Sequence, residues 1–178
     1  TFPAGSLPTV EMDRNNFLVE ILFKPTENGA SELVAKADEK TGYVLGINAA
    51  GEIEATVKAG TAKPAAAAAP LPGASSWIHA IAEADRANGK LRLYLNGELA
   101  AETSLELGDA SLDNDADFTV GKGFEGAVAF LRVSRGSLAD AHTTIQELHA
   151  WQFDGPMLRD FAKQPRDFTN GAAGALER

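Results

Sequence analysis

Hydrophobic and polar residues alternate with period two along most of the first 136 positions, the spacing of strands that bury one face. In FLVEILFKP, Phe17, Val19, Ile21 and Phe23 fall on one face, with Leu18, Glu20 and Leu22 on the other. Pro25 closes that run because it has no N–H to give a sheet ladder. SELVAKA, GYVLGIN and GEIEATVKA read as further short strands, separated by the turn-forming stretches DEKTG and NAAG. LRLYL places Leu91, Leu93 and Leu95 inward and Arg92 and Tyr94 outward, then runs into Asn96-Gly97. That pair tolerates the positive φ of a two-residue hairpin turn, so ELAAETSL is predicted as the return strand. DFTVGKG and GAVAFLRVSRG complete a set of about nine to eleven strands.

Two segments break the alternation. In AGTAKPAAAAAPLPGASS, Pro64, Pro70 and Pro72 bracket the alanines too closely for a helix, and the stretch is predicted as a long surface loop with room for one short strand. In TTIQELHAW, Thr144 and Glu147 form a capping-box pattern ahead of Ile145, Leu148 and Trp151 or Gln152, which predicts one short helix. The remainder shows no sustained period and reads as an ordered, irregular tail pinned by Phe153, Leu158 and Phe161. The expected fold class is all-β, an antiparallel sandwich with one short C-terminal helix and a tail.

Composition narrows the partners more than the fold. A chain of 178 residues with 44% hydrophobic and 23% charged residues has enough apolar surface to bury a core as a single domain, residues 1–178. A net charge of −9 repels phosphate backbones and anionic lipid, which argues against nucleic acid and acidic membranes as partners. No apolar run reaches the length of a membrane span, so membrane insertion by a helix is not expected. The absence of cysteine excludes disulfides, thiolate metal sites and a cysteine nucleophile. The start TFPAGSLPTVEM, without Met, suggests a processed protein or a piece of a longer one. Thr1 as an N-terminal nucleophile is discounted, because those hydrolases have a different architecture.

Four segments, taken in order, resemble laminin-G-like/concanavalin A-like jelly-roll modules: FLVEILFKP, LVAKADEKTGYVLGINAAGEIEATV, WIHAIAEADRANGKLRLYLNGELAA and FEGAVAFLRVSRGSL. The family's W-H-H-V strand reads W-I-H-A here, so His79 holds the second His position and Ile78 replaces the first. The resemblance covers about residues 15–136. The segment 137–178 resembles an extension carried by such modules in large secreted bacterial proteins. The resemblance implies a jelly-roll sandwich and a non-catalytic module, secreted, periplasmic or on the cell surface, that binds a glycan or a protein partner. That partner includes the rest of a larger parent chain. Two alternatives stay open: a polysaccharide hydrolase or lyase on the same scaffold, and a purely structural subunit docking onto a parent protein.

The candidate chemistry is incomplete at each place. One strand face carries Trp77, His79, Ile81, Glu83 and Asp85. Sandwich glycosidases of the family use an E-x-D-x-x-E pattern, and Glu83 and Asp85 match its first two carboxylates. Asn88 occupies the third position and cannot protonate a leaving group. Glu83 and Asp85 are therefore either an alternative catalytic pair or solvated charges at a strand end. Glu52 and Glu54 form a second i, i+2 pair followed on the same face by Thr56. Arg132 and Arg135 lack the Tyr/His partners of a lyase.

SLDNDADFTV offers Asp113, Asp115 and Asp117, with Asn114, as hard oxygen ligands, and calcium is the candidate cofactor; the alternative is an ordinary acidic turn. His79 is assigned a structural place on the Trp strand, and His142 and His149 lie at the predicted helix with no zinc-ligand spacing. Trp151 and Phe153 are the candidate ligand-binding residues, either stacking on a sugar ring or fastening the helix and tail to the sandwich.

Overall fold

The structure, a computed structural model, describes residues 1–139 with the exception of 28 and 74. Ten strands are present among them: β1 (Phe17–Pro25), β2 (Ser31–Ala37), β3 (Gly42–Ile47), β4 (Glu52–Lys58), β5 (Ala65–Pro70), β6 (Ile78–Asp85), β7 (Lys90–Leu95), β8 (Glu98–Ser104), β9 (Thr119–Lys122) and β10 (Gly126–Arg135). They form two five-stranded antiparallel sheets, ordered β10-β1-β6-β7-β8 and β5-β4-β3-β2-β9. A single 3₁₀ turn, Pro8–Val10, precedes them. Residues Thr1–Ser137 make one compact unit. A second unit spans Leu138–Arg178, of which only residues 138 and 139 are described. The expected helix at 144–152, the tail, His142, His149, Trp151 and Phe153 all lie outside the described residues.

The core follows from the alternation. Phe17, Val19, Ile21 and Phe23 of β1 are buried, as are Leu91, Leu93 and Leu95 of β7 and Ile53, Ala55 and Val57 of β4. These inward positions meet between the sheets, where Phe17 stacks obliquely on Tyr43 with ring centroids 5.0 Å apart. The Asn96-Gly97 turn has φ of 52° and 88°, so both residues adopt the left-handed geometry expected of a tight hairpin, and Leu95 pairs with Glu98.

The alanine-rich stretch holds the one short strand for which the loop expectation left room. Ala65–Pro70 is a full strand, with Ala65, Ala67 and Ala69 buried against the core. It pairs with β4 along only one of its edges and stands at the border of its sheet. That is where a sheet tolerates poor β-formers and prolines, because one row of backbone groups needs no partner strand.

One end of the sandwich is closed by cations that grip backbone carbonyls. Lys36 points inward beside buried Tyr43, with its side chain 2% exposed. Its ammonium donates to the Asn114 carbonyl (2.6 Å) and the Ala116 carbonyl (2.7 Å), and it pairs with Glu11 Oε1 (3.0 Å). Arg86 donates to the carbonyls of Asp13, Gly108 and Ala110. Arg135 donates to that of Glu11. An irregular 105–118 loop and an irregular N-terminal segment thus gain fixed positions without secondary structure of their own.

Candidate functional site

The two sheets present different outer faces, and the sequence-derived candidates divide between them. On the β10-β1-β6-β7-β8 sheet, alternation along β6 does place His79, Ile81, Glu83 and Asp85 on one outward face, with Trp77 just before the strand and exposed. The register then sets Glu83 opposite Arg92 and Arg92 opposite Glu102. Arg92 Nη1 lies 3.1 Å from Glu83 Oε2 and 3.0 Å from Asp85 Oδ2, while its Nε donates to Glu102 Oε2 at 2.8 Å. Tyr94 donates its hydroxyl to Glu83 at 3.1 Å, and Asn88 donates to Asp85 from both its side chain (2.8 Å) and its backbone (3.1 Å).

These two carboxylates are not the solvated strand-end charges of the sequence reading: Glu83 is 3% and Asp85 4% exposed. Burial by itself would raise the pKa of Asp85, but its hydrogen bonds from Asn88 and Arg92 outweigh that and hold it below the usual carboxylate range. A general acid needs the opposite shift. Asn88, at the position of the absent third carboxylate, is the side chain that holds Asp85 ionised. The arrangement is a charge network that locks β6, β7 and β8 together. On the same face His79 Nε2 lies 2.8 Å from Glu20 Oε1, and Arg132 lies 2.6 Å from Glu20 Oε2, which ties β10, β1 and β6.

The aspartates of the acidic loop point to different partners. Asp113 Oδ1 accepts from the backbone N–H of Asp13 (2.7 Å) and Asp117 Oδ1 from that of Ala4 (3.1 Å), while Asp115 is exposed. Asn114 is occupied by Lys36 and by its own loop. Successive carboxylates therefore diverge toward separate donors. No group of three or more His, Cys, Asp or Glu side chains among the described residues could hold a metal ion.

The outer face of the β5-β4-β3-β2-β9 sheet is different in kind. A depression of about 420 Å³ is lined by Glu32, Val44, Gly46, Asn48, Glu54 and Thr56, among others. A second, of about 320 Å³, adjoins it through the shared residues Glu32, Val44 and Lys122, and adds Asp38, Lys58, Asp117 and Thr119. Together they form a groove across the strands. The register explains its depth: Glu32 is opposite Gly46, Gly46 opposite Glu54, and Glu54 opposite Ala68. In the next row Ala35 is opposite Val44 and Val44 opposite Thr56. Small residues thus form the floor, and two carboxylates flank a bare glycine at two strand spacings, about 9.5 Å between backbones. A β-carbon on Gly46 would lie 2.4 Å from the Ser31 carbonyl oxygen, so the position admits no side chain.

Polar groups converge on this floor. Lys122 reaches Glu32 at 3.4 Å, a solvent-exposed pair that constrains little. Asn48 donates to Glu52 at 3.2 Å beside the groove. Behind the groove, the buried Ser31 and Thr119 hydroxyl oxygens have no hydrogen-bond partner among the described residues. Among the described residues Glu54 likewise has no hydrogen bond or ion pair, and its lateral neighbours are Gly46 and Ala68.

No aromatic ring lines either half of the groove among the described residues. The exposed rings Phe2, Trp77 and Phe130 are not among its lining residues. Of the sequence candidates Glu54 and Asp117 line the groove, while Glu32, Val44, Gly46 and Lys122 carry no motif of their own. The one local signal was Gly46 itself, a glycine inside a strand pattern, which marks close backbone approach.

The model of the concanavalin A-like lectin/glucanases superfamily (Laminin_G_3) matches residues 3–142. No curated protein matches the sequence. Among solved structures, the chain is similar to the CBM40 of the Ruminococcus gnavus IT-sialidase bound to α2,3-sialyllactose, with 19% identity and a TM-score of 0.58. That match covers 73% of this chain and 80% of the module. It is similar to mouse laminin α1 chain domains LG4-5, with 16% identity, a TM-score of 0.57 and coverage of 77% of this chain and 40% of that one. It is also similar to the binding domain of botulinum neurotoxin DC in complex with SialylT, with 11% identity, a TM-score of 0.55 and coverage of 76% and 36%. At these identities the likeness is one of fold, and the chain spans under half the length of the last two.

Proposed function

The chain belongs to the concanavalin A-like lectin/glucanase superfamily, and from that premise we propose that it is a non-catalytic carbohydrate-binding module of a secreted, periplasmic or cell-surface protein. Its ligand site is the groove on the outer face of the β5-β4-β3-β2-β9 sheet. The observation that carries this reading is the register that sets Glu32 and Glu54 on either side of Gly46. It leaves an open, flat-floored depression walled by carboxylate, amide, hydroxyl and ammonium groups.

A sugar offers ring hydroxyls that donate and accept together, and such a mixed lining can satisfy both roles. The glycan-bound sialidase module and neurotoxin domain of similar fold support the same class of ligand. The hydrolase reading has less support, because its best carboxylates, Glu83 and Asp85, are committed to Arg92.

Substituting Val44, which lines both halves of the groove and faces away from the core, tests the location. Val44→Trp fills the floor with a residue that outward strand positions accept well, so stability is expected to change by less than about 1 kcal/mol. On a glycan array the unaltered chain is expected to retain at least one glycan that the variant loses by tenfold or more. Equal retention by both would place the site elsewhere, and no retention by either would remove the carbohydrate-binding reading.

A further inference from the structure

We propose that the groove selects glycans bearing free amines over neutral and acidic ones, with Glu54 as the carboxylate that receives the ammonium group. The inference rests on the groove being the glycan site and adds the ligand's charge class. Its first support is the balance of charge in the lining, where Glu32, Asp38, Glu54 and Asp117 face only Lys58 and Lys122. No arginine, the residue suited to fork onto a carboxylate, lines either half among the described residues. The backbone N–H groups of Lys40 and Thr41 bond the Asp38 carboxylate and hold its pKa below the usual carboxylate range. A sialic acid carboxylate entering here would meet like charge without a fork of donors to hold it.

The second support is the setting of Glu54. Its cross-strand neighbours are Gly46 on one side and Ala68 on the other, so no side chain of the adjacent strands covers its carboxylate. It is half-buried, lines the groove, and has no hydrogen-bond or ion-pair partner among the described residues. Glu32, by contrast, is already met by Lys122. A partly desolvated carboxylate without a partner gains more from an ammonium donor than from a hydroxyl, since charge-assisted hydrogen bonds are about twice as strong as neutral ones. Thr56, next outward along β4, and Asn48 stand ready for the ring hydroxyls beside such an amine.

The test is calorimetric titration of the full chain with a glucosamine tetramer, the N-acetylglucosamine tetramer and 3′-sialyllactose, at a pH where the free amine is protonated. The glucosamine oligomer is expected to bind about fivefold or more tightly than its N-acetylated counterpart, and more tightly than sialyllactose. The advantage is expected to shrink as salt rises to about 0.5 M. Glu54→Gln, which keeps the shape but removes the charge, is expected to weaken the glucosamine oligomer most and bring the ratio of the two tetramers toward one. Equal affinities, preference for sialyllactose, or an unchanged ratio in Glu54→Gln would overturn the assignment. Binding of some other neutral or acidic glycan, with none of the glucosamine oligomer, would overturn the amine preference but leave the carbohydrate-binding reading standing. Failure with every glycan would remove both.

Discussion

Replacing Lys36 by alanine is expected to destabilise the sandwich by about 3–5 kcal/mol, the range for removing one partner of a buried ion pair. The position is inward on β2, and the ammonium group satisfies the carbonyls of Asn114 and Ala116 and the carboxylate of Glu11 together. Removing it strands those acceptors at the closed end and opens a void beside Tyr43. Lys36→Met restores the aliphatic volume without the donors, so it is expected to recover only the packing part of the loss. Urea unfolding followed by far-UV circular dichroism measures both. A loss below about 1 kcal/mol for Lys36→Ala would mean that the 105–118 loop is held by other contacts.

The second large effect is expected at Arg92. Arg92→Ala removes the cation shared by Glu83, Asp85 and Glu102 and is expected to cost about 3 kcal/mol at neutral pH, because two of those carboxylates are buried. The pH dependence distinguishes this from simple loss of packing. The folded-state pKa of Asp85 lies below its ordinary value of 3.8. Its ionised form therefore adds stability above that pH, and this part is lost as pH falls through the folded-state pKa. The variant no longer has the Arg92 share of this stabilisation. The gap between wild type and Arg92→Ala is therefore expected to be full near pH 7 and to narrow below about pH 3.8. Equal gaps at pH 7 and pH 3 would show that the guanidinium contributes by its aliphatic stem and contacts rather than by charge.

The same residue shows why the site candidates divided as they did. Glu83 and Asp85 were visible in the sequence as a same-face carboxylate pair, and that geometry is correct. Their chemistry was decided by Arg92, which alternation had marked only as an outward residue of LRLYL. A strand pattern specifies which way a side chain points, while cross-strand register specifies what it meets. The acidic loop repeats the point: Asp113, Asp115 and Asp117 are neighbours in sequence, yet two of them bond backbone N–H groups about a hundred residues away.

Period-two burial made the strands of both sheets legible, because an inward Leu, Val or Phe every second residue is a local property with a direct energetic consequence. It also supplied the Asn96-Gly97 hairpin, where two residues fix their own turn. Alanine, with too little apolar area to announce a strand, left β5 unresolved until the neighbouring β4 gave it a ladder. Lys36 went unmarked because nothing in SELVAKA says that its ammonium will find two carbonyls and a carboxylate at the sandwich end. The groove escaped for the same reason. Glu32, Gly46, Glu54 and Ala68 stand on four strands, and only the pairing of those strands lays a bare glycine between two carboxylates. Local periodicity thus carries the layers and the core, whereas the site is a product of register between distant segments, which no single stretch of the chain encodes.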